Sequence, residues 1–197
     1  MRTDVSNLDS WAISQALTSN TCAPYLFLNG ALRYYSNTDI KQILESLIEN
    51  KTVTNFCIQR NQISNENAKL LAQILKSNKT LVGLNLISNE LTADGIDSFV
   101  DALNQDKNSS SLTALTLSDN SNISDETIAK LIKTGKKLTI LDLSNNNIVD
   151  GNGLIPKALI INQNLLYLNL FNNKLSPLAK NEIKRCIESR PNLIINL

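Results

Sequence analysis

One spacing recurs along this chain and fixes most of what it can fold into. In "LTILDLSNNNI", residues 138–148, leucine stands at Leu138, Leu141 and Leu143, and Asn146 and Ile148 complete the frame. The frame returns as Val53, Phe56, Ile58, Asn61, Ile63, then as Leu81, Leu84, Leu86, Asn89, Leu91, and again as Leu165, Leu168, Leu170, Asn173, Leu175. A further copy holds Leu112, Leu115, Leu117 and Asn120 but reaches Ile123 one residue late. Starts at 53, 81, 112, 138 and 165 give offsets of 28, 31, 26 and 27 residues, and "LIINL" opens another 28 on, at Leu193. A fixed period of this length means stacked supersecondary units, none of them stable alone.

Between the frames the apolar residues switch to helical spacing. Ala68, Leu71, Ala72 and Leu75 share one face behind Ser64, a plausible cap. Ile96, Phe99, Val100 and Leu103 share another, as do Ile128, Leu131 and Ile132. In "SPLAKNEIKRCIES" Pro177 falls early, where its missing N–H is harmless. The fourth unit carries two glycines and Pro156, so a short or distorted helix is expected there. Each unit is thus a strand, a turn and a helix. Parallel strands pack about 4.8 Å apart and helices about 8 to 10 Å apart, so the stack must curve with strands inside. The leucines then fill the wedge between strand and helix. Asn61, Asn89, Asn120, Asn146 and Asn173 sit where the chain leaves the strand, and their side chains carry the donors and acceptor that unpaired turn backbone needs. They are expected to form a buried structural ladder.

The frame L-x-x-L-x-L-x-x-N-x-L followed by a helix such as "AKLLAQIL" resembles the leucine-rich repeat family in its ribonuclease-inhibitor-like variety. That resemblance covers Val53 to Leu197 and implies an α/β solenoid, a horseshoe with parallel strands on the concave face, helices on the convex face, and a concave sheet that usually binds another protein. A single domain over 1–197 is expected, with an N-terminal cap and irregular first unit in 1–52, five repeats in 53–192 and a terminal strand in 193–197. In the first unit Tyr25 and Leu28 are in phase with Val53, and Ala31 or Leu32 falls near the asparagine's place. Before it, Val5, Leu8, Trp11, Ala12 and Leu17 have helical spacing and are expected to form a capping helix with Trp11 in the core.

Catalytic chemistry finds few materials. The chain has no histidine, which excludes His-dependent triads, His bases and His metal ligands. Its three cysteines, Cys22, Cys57 and Cys186, are too few for a four-thiolate zinc site and fit free thiols in a reducing compartment. A phosphate loop of the G-x-x-x-x-G-K-[ST] type is absent, and "DGNG" at 150–153 is too short to mean a nucleotide site. Lys130, Lys133, Lys136 and Lys137 complete a helix that begins with Asp125 and Glu126, as its dipole favours. Neither a cofactor nor a metal is expected. A formal charge of +1 on 197 residues carries no bias toward nucleic acid or membrane. Apolar runs long enough to span a bilayer and a signal core are both missing, so a cytoplasmic protein is expected, or one delivered into a host cell by a signal not visible in the sequence. N-x-S/T triplets at Asn50, Asn78, Asn108 and Asn122 are what chance gives in a chain this rich in Asn, Ser and Thr.

Function then falls to strand positions that alternate away from the core. The column before the second leucine is Asn55, Gly83, Ala114, Ile140, Tyr167, and the column after it is Cys57, Asn85, Thr116, Asp142, Asn169. Beyond the third leucine come Gln59 and Arg60, Ile87 and Ser88, Ser118 and Asp119, Ser144 and Asn145, Phe171 and Asn172. Partner contact is expected from Asn55, Cys57, Gln59, Arg60, Asn85, Ile87, Thr116, Asp119, Ile140, Asp142, Asn145, Tyr167, Asn169 and Phe171. Ile140, Tyr167 and Phe171 should lie close together as an exposed anchor, unless the last strand or a neighbouring chain covers them.

Two function classes follow. The first is a non-enzymatic protein-binding module; its Asn, Ile, Lys and Ser richness and uneven repeats resemble the small leucine-rich effectors of intracellular bacteria. The second is a GTPase regulator, since the repeats also resemble those of Ran GTPase-activating proteins, with Arg60 as the sole concave arginine. At the C terminus a bare edge strand stands beside Ile183 and Ile187, whose flank is expected to be incompletely covered. Either the last residues close the stack on a monomer, which Asn192 and Asn196 favour, or two chains pair there as a dimer.

Overall fold

The computed structural model describes residues 2–4, 9–104, 110–120, 123–150 and 152–197. Among these described residues, eight three-residue strands form one parallel sheet in strict sequence order. They are β1 (Arg2–Asp4), β2 (Tyr25–Phe27), β3 (Asn55–Cys57), β4 (Gly83–Asn85), β5 (Ala114–Thr116), β6 (Ile140–Asp142), β7 (Tyr167–Asn169) and β8 (Ile194–Asn196). Helices alternate with them: α1 (Ser10–Thr18), α2 (Asn37–Glu45), α3 (Asn65–Ser77), α4 (Ala93–Leu103), α5 (Asp125–Thr134), α6 (Leu154–Ile161) and α7 (Pro177–Glu188). The register places Phe56, Leu84, Leu115, Leu141, Leu168 and Ile195 side by side, so the second frame position forms one continuous row. This is the expected α/β horseshoe solenoid.

The frame residues fill the space between sheet and helices. Leu84, Leu86, Leu115, Leu117, Leu141 and Leu143 are buried together with Ile96, Phe99, Ile128 and Leu131 from the helices behind them. Helix starts follow local chemistry: the Ser64, Ser124 and Ser176 side chains accept from the amides of Asn67, Thr127 and Ala179, and Pro177 opens α7. In the glycine-containing fourth unit α6 has only eight residues and Gly153 precedes it at φ +60°. No side chain at that position caps it. Instead Oδ1 of buried Asp150 accepts from the Leu154 and Ile155 amides at 2.8 and 3.1 Å.

Three expectations for the N-terminal and C-terminal ends are corrected. Tyr25 pairs with Asn55, not with Val53, so the first unit is offset by 30 residues; Leu26 and Leu28 are its buried pair, and Ala31 takes the asparagine's place. The first helix begins only at Ser10, after β1, and Trp11 projects outward at 63% exposure while Ile13 and Leu17 supply the core contact. The physical reason is the phase of the helix: capping by Asp9 sets Ile13 and Leu17, four residues apart, on the inner face. Val5 and Leu8, with Asn108, Asn122 and Gly151 of the "DGNG" segment, lie outside the described residues. At the other end Ile183 is fully buried and only Ile187 is half-buried.

Candidate interaction face

The turn that follows each strand decides which side chains can meet a partner. Arg60, Ser88, Asp119, Asn145 and Asn172 all adopt positive φ between 52° and 59°, and Gly30 takes the same place in the first unit at φ +66°. This left-handed residue aims the next one inward, and the next one is the ladder asparagine. Asn61 donates to the Leu28 carbonyl and accepts from the Leu32 amide, reaching back one unit. Asn89 accepts from the Asn61 and Ile63 amides, Asn120 from Leu91, Asn146 from Asn120 at 2.6 Å, and Asn173 from Asn146 and Ile148. Asn61, Asn120 and Asn146 are at most 1% exposed, whereas Asn173, in the last full unit, is half-buried.

A second ladder runs along the opposite corner, where helix returns to strand, and sequence reasoning missed it. Asn78 donates to the Leu47 and Asn50 carbonyls and accepts from the Thr80 and Leu81 amides. Asn50 does the same with Leu17, Thr52 and Val53, and Asn162 with Ile132, Gly135, Asn164 and Leu165. Arg190 takes the place in the last unit, its guanidinium donating to the carbonyls of Leu159, Asn162 and Leu165. The signal was available: each of these residues stands three before the first apolar residue of a frame. As N-x-S/T triplets alone, Asn50 and Asn78 carry no such signal.

The strands being three residues long, Asn55, Cys57, Asn85, Thr116, Ile140, Asp142, Tyr167 and Asn169 lie on the sheet, and Gln59, Arg60, Ile87, Asp119, Asn145 and Phe171 lie past its end. Several of the sheet residues are already engaged. Asn85, Asp142 and Asn169 each accept from the amide two residues on, that of Ile87, Ser144 and Phe171, and so terminate their own strands. Cys57 is buried and its thiol meets the Asn29 side-chain oxygen at 3.1 Å. It forms floor, not a projecting contact. Burial likewise pushes the thiols of Cys22 and Cys186 above the usual range, which makes them poor nucleophiles.

What remains free is graded along the arc. At β3 to β5 the side chains shrink: Asn55 lies across Gly83, where a Cβ would meet its side-chain oxygen, and Ala114 follows. The result is a recess of about 260 Å³ with Tyr25 on one wall and Thr116 on the other. Further on the face rises and becomes apolar. Ile140, Tyr167 and Ile194 stand in register on three adjacent strands, with Ile140 44% and Ile194 64% exposed. The last strand does not cover the cluster but extends it, which adds Ile194. Phe171, 55% exposed, is four residues beyond Tyr167 and thus about 13 Å along the chain direction, so it marks the rim and not the same row.

A parallel, sequence-ordered sheet lining a curved stack, backed by helices and cornered by two asparagine ladders, defines a repeat solenoid. Residues 137–160 match the family model described as leucine rich repeat, and the described fold is that of a leucine-rich repeat solenoid. A leucine-rich repeat-containing protein from Legionella pneumophila is similar over 97% of this chain and 61% of its own, at 19% identity and a TM-score of 0.62. The tropomodulin C-terminal domain of Caenorhabditis elegans is similar over 91% and 92% of the two chains, at 18% identity and TM-score 0.53. Leiomodin-1 actin-binding site 2 is similar over 91% and 90%, at 21% and 0.53. No curated protein matches the chain in sequence.

Proposed function

We propose that this protein is a non-enzymatic interaction module that grips a partner protein on its concave face, with the Ile140, Tyr167 and Ile194 row as the anchor. The observation that carries the reading is that row: three large side chains in register on adjacent strands, beyond the small residues of β3 to β5, a placement typical of interface anchors. An effector role in a host cell is supported by the asparagine-rich, isoleucine-rich composition and by the fold shared with the Legionella protein. The chain acts as a monomer in this reading, closed at its C-terminal end by β8 and the Arg190 corner. No described helix is long and apolar enough to cross a membrane.

Replacing Tyr167 and Ile194 together by serine is expected to abolish capture of the partner from eukaryotic lysate while leaving the melting temperature near that of the parent. Quantitative mass spectrometry of matched pull-downs reads the first and a thermal melt the second, with purified actin, the partner named for leiomodin-1, as one defined arm. Capture unaffected by the double substitution would remove the anchor from the account. The same preparations enter a GTPase turnover assay; stimulation lost in Arg60→Ala would overturn the non-enzymatic reading.

A further inference from the structure

The convex layer has a gap at α6. This helix starts twelve residues after β6 ends, whereas α7 starts eight after β7, so α6 lacks one helical turn at its start relative to α7. A groove of about 580 Å³ opens there, walled by Pro156 and Ile160 on one side and Leu178 and Ala179 on the other. That is the size of a small-molecule site and well beyond a packing defect. Its inner end is acidic. Asp150 lines it at 2% exposure; Oδ1 is taken by the two α6 amides, and Oδ2 has no hydrogen-bond partner. The Glu182 carboxylate lies beside it, against Gly153, where a Cβ would come within 2.9 Å of Glu182 Oε2. The ion pairs among the described residues, Lys41 with Glu45 and Lys130 with Asp97, involve neither carboxylate.

A buried carboxylate without a compensating cation is costly, and a cation held at the inner end of the groove recovers part of that loss. Burial, with the charges of Asp125 and Glu182 adding, raises the Asp150 pKa against the pull of the Ile155 and Leu154 amides, as expected for a carboxylate lacking a cation. Lys157 and Arg185 also line the groove but are exposed, and Lys157 is held on the Asn152 carbonyl, so both stay solvated at the rim. We propose that the groove between α6 and α7 binds a small organic cation, an amine or guanidine on an apolar body, with its charge set over the buried Asp150 carboxylate and shared with Glu182. This site is on the face opposite the proposed protein contact and stands or falls independently of it.

The test uses three probes of one length, n-hexylammonium, n-hexanoate and n-hexanol, each titrated into the ¹⁵N-labelled full chain. Hexylammonium is expected to move the amides of Gly153, Leu154, Ile155 and Ala179, and the two other probes to move them far less. Asp150→Asn keeps the cap acceptor but removes the charge, and should weaken hexylammonium by about tenfold, the scale of one lost attraction between partly desolvated charges. Glu182→Gln should weaken it as well, and decides the matter if Asp150→Asn does not fold. Equal binding of hexanoate, which the rim cations would favour, overturns the proposal. So does hexylammonium binding unchanged by either substitution, or no movement of these amides with any probe.

Discussion

Asn162→Ala is expected to destabilise the protein more than Asn146→Ala, although Asn146 belongs to the ladder visible in the repeat and Asn162 does not. Asn146 is fully buried, and its loss leaves the Asn120 amide without an acceptor; the Leu117 carbonyl, its other partner, keeps a bond from the Asn120 side chain. One orphaned buried group costs about 1 to 3 kcal/mol. Loss of Asn162 orphans the Ile132 carbonyl and the Leu165 and Asn164 amides at once, while the Gly135 carbonyl keeps the Leu138 amide. With two of these groups in the buried corner, a cost of about 2 to 5 kcal/mol follows. At roughly 2 to 4 °C per kcal/mol for a chain of this size, thermal unfolding separates the two variants from each other and from the parent. A melting temperature of Asn162→Ala equal to the parent's, or above that of Asn146→Ala, would refute the second ladder.

The other large effect is expected at Arg190. Its guanidinium reaches the Leu159 and Asn162 carbonyls with one nitrogen and the Leu165 carbonyl, at 2.6 Å, with the other. Bonds from a charged donor are worth about 1.5 to 3 kcal/mol, and only a planar fork spans three carbonyls on two sides of a corner. Desolvation in this corner lowers the arginine's pKa, without making it neutral at any ordinary pH. Arg190→Ala should therefore loosen α7 and β8, and Arg190→Lys should restore little. Amide exchange reads this locally: faster exchange in β7, α7 and β8 with β3 to β5 unchanged is the expected pattern. Uniform protection in both variants would mean that the last unit is closed by packing alone.

What the sequence makes legible here follows from whether a residue's role depends on its own repeat or on a neighbour. Leu138, Leu141 and Leu143 declare themselves, because burial on one face imposes a fixed spacing on any strand that turns back into a helix. Asn146 is legible for a related reason: a polar residue inside an apolar frame has few explanations other than backbone pairing. Asn162 and Arg190 are harder to see: their place three residues before each frame is regular, but the residue there is Asn in some units, Arg in the last and Gly135 before the fourth frame, so no single residue type marks it. On the concave face Asp142 and Asn169 look like free polar contacts, yet each is occupied by an amide two residues on. Composition does not distinguish a side chain offered to a partner from one already bonded to its own turn. Trp11 fails differently: its helical spacing with Leu8 and Val5 suggested a core face, whereas the Asp9 cap starts the helix later and turns that indole outward.

The central claim is that a partner sits in the arc on the apolar C-terminal half of the sheet. Amide hydrogen exchange on the purified complex, compared with the free protein, locates the contact without assuming it. The account predicts slowed exchange in β6, β7 and β8 and in the turns after β6 and β7, around Ile140, Tyr167, Phe171 and Ile194, with the convex helices unchanged. Protection confined to the convex helices, with the concave strands exchanging as in the free protein, would contradict it.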